Sequence, residues 1–95
     1  MTMTKAQEDK NRADIHKLVD LVLDINGFED RQKEITGDKP TVFFNLSGHV
    51  SSIRVKVHEK GWVAGRESDI GSNLYFDKPM QVDELIKRLE KLVAK

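Results

Sequence analysis

Ser47, His49, Arg54, Lys56 and His58 fall within one short stretch, SGHVSSIRVKVHEKGW, residues 47–62. A hydroxyl two residues from an imidazole invites a nucleophile with its base, and the alternating cations beyond it invite an anion. The first idea requires the two side chains to converge and a third group to orient the base. Ser47 and His49 instead flank Gly48, where a tight turn makes them diverge, and the G-x-S-x-G elbow is absent. The pair reads as a turn furnished with small and polar residues.

Other chemistries lack their residues. His16, His49 and His58 show no H-E-x-x-H spacing, so no metal site is expected. There is no G-x-x-x-x-G-K-[ST] and no G-x-G-x-x-G, and TGDKPT has a single glycine before its lysine. Asp77, Asp83 and Glu84 are most simply a strand exit and a helix start. No cofactor is called for, and the reading is that the chain is not an enzyme.

One constellation survives: Phe43, Arg54, Lys56 and His58, with Trp62 and Tyr75 joining them. Whether these residues share a surface depends on the elements that carry them. In TVFFNLS (residues 41–47), Val42, Phe44 and Leu46 alternate with Phe43, Asn45 and Ser47. In SSIRVKVHE (residues 51–59), Ile53, Val55 and Val57 alternate with Arg54, Lys56 and His58. Period-two patterning marks strands with one buried face. A type II′ turn with Gly48 and His49 at its centre, Gly48 supplying positive φ, pairs Val42 with Val55 and Phe44 with Ile53. It also sets Phe43 against Arg54, Asn45 against Ser52 and Thr41 against Lys56 on the other face.

After the Lys60-Gly61 turn, Trp62, Val63 and Ala64 are expected to begin a third strand. A two-residue turn brings Arg54 near Glu67, and a three-residue turn brings it near Arg66. GRESDIGS (residues 65–72) reads as a loop or broken strand, and residues 73–76 as a further strand or the end of the third. Helical stripes flank this block. Ile15, Leu18, Val19, Val22 and Ile25 define a first helix from Ala13 to about residue 25, ended by Asn26-Gly27. Val82, Leu85, Ile86, Leu89, Leu92 and Val93 define a second, with Gln81 and Glu84 as a capping pair. Residues 28–40 form a connection, with or without a short strand, anchored by Phe28 and Ile35.

The expected fold is thus α+β in two layers: helix, three or four antiparallel strands, helix, with both helices on one face of the sheet. Residues 1–12 form a flexible or frayed lead, and residues 13–95 a single α-β-β-β-α domain. The 95 residues suffice for one small core, so a homodimer that covers further apolar area fits. Sixteen Lys and Arg balance sixteen Asp and Glu, so any charged partner must read a local patch. The absence of cysteine fits a reducing cytoplasm. No apolar run approaches the roughly 20 residues of a membrane span, and the stripe on the second helix, with both charge signs on its polar face, reads as core.

The helix, three strands, helix order resembles the double-stranded-RNA-binding domain. The second helix opens MQVDELIKRLEK, without that family's basic K-K-x-A-K start, and the first hairpin reads SGHV in place of G-P-x-H, so its function is not carried over. VFFNLSGHVSSIRVKVHEKGW resembles small uncharacterised phage and prophage proteins of Gram-positive bacteria, which implies an accessory protein acting on a host or phage partner. The sequence reading is therefore a non-catalytic module that contacts a protein or a second copy of itself. The alternative is RNA or single-stranded nucleic acid on the open sheet face, where aromatics beside cations stack bases and hold phosphates.

Overall fold

A computed structural model of the chain describes residues 3–28, 34 and 37–93. The elements are helix α1 (Lys5–Asn26), strand β1 (Thr41–Ser47), a single 3₁₀ turn (Gly48–Val50), strand β2 (Ser52–His58), strand β3 (Ile70–Tyr75) and helix α2 (Asp83–Val93). The strands form one antiparallel sheet in the order β1-β2-β3. This is the expected α+β fold with three strands.

The core follows from the alternation in β2. Ile53, Val55 and Val57 are fully buried and meet Leu18, Leu21, Val22 and Ile25 of α1 and Leu85, Leu89 and Leu92 of α2 in one cluster. Burial of each such side chain contributes about 1.5–3 kcal/mol. Phe44 of β1 and Ile70 and Leu74 of β3 pack at the margins of the same cluster.

The first hairpin differs from expectation in its turn. Ser47 pairs with Ser52, Leu46 with Ile53, Phe44 with Val55, Phe43 with Lys56 and Thr41 with His58. Relative to the type II′ register every pairing has moved by two residues, so each side chain keeps its face. The connection holds four residues, Gly48–Ser51, and the left-handed conformation falls on Ser51 (φ 52°), not on Gly48. The second hairpin departs further. Trp62 makes only an isolated bridge, and the third strand begins at Ile70, so Arg54 lies opposite Asn73 rather than near Arg66 or Glu67 across a ladder.

The first helix begins at Lys5, inside the stretch expected as a frayed lead. Thr4 and Gln7 form a capping box: the Gln7 N–H donates to Thr4 Oγ1 at 3.1 Å, and the Thr4 N–H donates to Gln7 Oε1 at 2.9 Å. Hydrogen bonds from Lys5 to Asp9 and from Lys10 to Asp14 line the exposed side, and they raise both ammonium pKa values above their ordinary range.

Two asparagines fasten this helix to the sheet. Buried Asn11 donates to the carbonyls of Phe76 and Lys78 at 3.2 and 2.7 Å and accepts from the Met80 N–H at 3.3 Å. Asn26 donates to the Val42 carbonyl and accepts from the Val42 N–H, both at 2.8 Å. At α2 the Gln81–Glu84 capping pair does not form. The helix starts at Asp83, behind fully buried Val82. Phe28 is 93% exposed and anchors nothing among the described residues, whereas Ile35 and a strand over residues 29–33 and 35–36 lie outside them.

Gly48→Ala should be neutral or mildly stabilising, and Ser51→Gly should stabilise by up to about 1 kcal/mol, because only Ser51 holds positive φ. A type II′ turn would make Gly48→Ala the damaging change, and urea midpoints distinguish the two. Asn11→Ala strands backbone groups of Phe76, Lys78 and Met80 and should cost about 1–3 kcal/mol by the same measurement.

Candidate functional site: a cationic cleft under the 59–69 loop

The parity that buries Ile53, Val55 and Val57 turns Arg54, Lys56 and His58 to the face away from the helices. Phe43 and Asn45 join them from β1, and Asn73 and Tyr75 from β3. This face is not an open plane, because the loop of residues 59–69 returns across part of it. Two bonds close its base: the Glu59 N–H donates to Asp69 Oδ2 at 2.7 Å, and the Asp69 N–H donates to the Val57 carbonyl at 2.8 Å. Inside, Gly61 takes φ 94° and its N–H reaches the His58 carbonyl at 3.4 Å, a conformation that favours glycine.

Between loop and sheet lies a cleft of about 600 Å³. The sheet supplies Phe43, Asn45, Arg54, Lys56 and His58. The loop supplies Trp62, Arg66, Glu67 and Ser68. Phe43 is its aromatic centre, edge-to-face with His58 at 5.6 Å and with Trp62 at 6.3 Å between ring centroids.

His58 differs from its expected place on the wet face. It is 4% exposed, and its Nδ1 is buried without a hydrogen-bond partner. A buried unsatisfied polar atom of this kind costs about 1–3 kcal/mol unless something meets it.

The electrostatics are asymmetric. Arg54 is braced by its Nε, which donates to Asn73 Oδ1 at 3.2 Å and leaves both terminal amino groups outside that bond. Among the described residues none of Arg54, Lys56 and Arg66 forms an ion pair. Elsewhere Lys5, Lys10, Lys17 and Arg88 each find a carboxylate, at Asp9, Asp14, Glu90 and Glu59. Three cations thus share the cleft with one carboxylate, Glu67.

Five of the six residues singled out by sequence, Phe43, Arg54, Lys56, His58 and Trp62, line this cleft. Tyr75 shares the sheet face but stands opposite Ser52 at its far end, with the Lys78 ammonium 5.8 Å from its ring centroid. Arg66 and Glu67, each expected beside Arg54 across a strand ladder for one of two turn lengths, reach the cleft instead from the returning loop, and Ser68 comes with them.

Ser47 Oγ approaches Asn45 Oδ1 at 3.5 Å, and among the described residues no hydrogen bond joins it to His49. Among the described residues no group of three or more His, Cys, Asp or Glu is placed to hold a metal ion, and no helix is long and apolar enough to cross a membrane. No protein family, curated protein or solved structure matches this chain.

Trp62 is the sole tryptophan, so its emission reports the cleft directly. Asp69→Ala removes the acceptor of the Glu59 N–H and should free the loop. The expected result is stronger acrylamide quenching of Trp62 with an unchanged far-ultraviolet circular dichroism spectrum. Equal quenching in the two proteins would show that Asp69 does not hold the loop.

Proposed function

We propose that this chain is a non-catalytic binding module whose cleft takes an acidic segment of a protein partner. The observation that carries this reading is the group of three cations, Arg54, Lys56 and Arg66, around an aromatic wall and without ion pairs among the described residues. An Arg fixed by a neighbouring amide loses little further freedom when it grips a carboxylate, and Phe43 and Trp62 offer an apolar anchor beside it. The zero net charge of the chain concentrates the attraction in this patch and gives no long-range pull towards polyanions.

Single-stranded RNA is the second reading, favoured by the same pairing of aromatics with cations. Against it, Phe43 meets His58 and Trp62 edge-on, so the rings do not form the flat platform on which successive bases stack.

Titration of Trp62 emission with short peptides that place Glu or Asp beside Phe separates these readings. The expected result is saturable binding that weakens with salt and falls at least tenfold in the Arg54→Ala, Lys56→Ala double variant. An oligouridylate that binds more tightly than every peptide would transfer the cleft to RNA. Binding by neither, at low salt, would sink the proposal.

A further inference from the structure

Among the described residues β1 is an edge strand, paired with β2 on one side and with no strand on the other. Its outward backbone groups belong to Val42, Phe44 and Leu46. This follows because the N–H and C=O of Val42 both turn to the Asn26 amide, and backbone direction alternates along a strand. Among the described residues nothing pairs with the outward N–H and C=O of Phe44 or Leu46.

Proteins ordinarily block such an edge with lysine, proline or a covering segment. TVFFNLS carries no charge and no proline. At the opposite edge the Lys78 ammonium lies against Tyr75, so that edge has its charge. Beside the unguarded edge, Leu46 and Val50 are 50% and 53% exposed.

We infer that β1 is a self-association edge: two copies pair β1 to β1, antiparallel, about a two-fold axis through Asn45. The register follows from the residues present. Asn26 already occupies the outward groups of Val42, so pairing begins at Phe44. Phe44 of each copy then faces Leu46 of the other, which satisfies both sets of outward groups with about four hydrogen bonds. On the helix-covered face Phe44 of one copy covers the half-exposed Leu46 of the second. The strand has no charge to repel its copy, and the chain has no net charge.

At the axis the two Asn45 residues form a non-hydrogen-bonded pair, with Cβ atoms about 4.5–5.5 Å apart. That spacing, with the usual sheet flexibility, brings two cysteines there within bridging range. Ser47 of each copy faces Phe43 of the other, which separates the two Ser47 residues by about four strand steps, roughly 13 Å.

The chain has no cysteine, so Asn45→Cys and Ser47→Cys each install a single thiol. Under mild oxidation Asn45→Cys should form covalent dimer at least tenfold faster than Ser47→Cys. Sedimentation of the unmodified chain should show a concentration-dependent monomer–dimer equilibrium. Asn45→Lys, which sets two ammonium groups face to face at an exposed position, should shift it to monomer without changing the circular dichroism spectrum. A strict monomer at every concentration, a dimer untouched by Asn45→Lys, or equal cross-linking of the two cysteine variants overturns the inference.

Discussion

Everything in this fold is arranged around one face of β2. Ile53, Val55 and Val57 lie in the middle strand with no exposure at all, and both helices close over them. A strand cannot bury three alternate residues without sending the residue that follows each of them to the opposite side. Arg54, Lys56 and His58 are therefore held on the outer face by hydrophobic burial on the inner one. The cations of the cleft are positioned by residues that never touch it.

The same parity explains which parts of the fold were legible in the sequence. Both strands of the first hairpin and the stripe of α2 announce themselves by period, and the assignment of each side chain to a face survives even though the register moved by two residues. Faces depend on odd against even, whereas register depends on the loop. Gly48 looked like the residue that needs positive φ, yet a four-residue connection spends it in a 3₁₀ turn and places Ser51 in the left-handed region. Nothing in SGHVSS separates the two loops locally.

Other departures share a physical origin in contacts distant along the chain. The start of α1 was hidden because its first turns present Asn11, and no bulky apolar residue, to the core, so hydrophobic periodicity is silent there. WVA is the more strand-like sequence, but the third strand forms at IGSNLY, where Ile70, Ser72 and Leu74 sit opposite Val57, Val55 and Ile53. Trp62 is thereby released from the ladder to stand over Phe43, and the loop carries Arg66 and Glu67 into the cleft. The sheet half of the site was visible from alternation alone, whereas the loop half and the burial of His58 arise only when the loop returns.

What remains accessible is decided by where α1 lies, and two polar side chains decide that. Asn11 holds the backbone just beyond β3, and Asn26 holds the backbone at the start of β1, so the helix runs diagonally from one edge strand to the other. The fifteen helical steps from Asn11 to Asn26 span about 22 Å. Apolar contacts alone permit a helix to slide or rotate on a sheet, but each amide accepts only backbone groups set in one geometry, so the two ends are pinned. A helix pinned this way uses its own amide to finish the β1 edge at Val42 and has none left for Phe44 and Leu46. The clamp that completes the core therefore also determines the length of edge left unpaired.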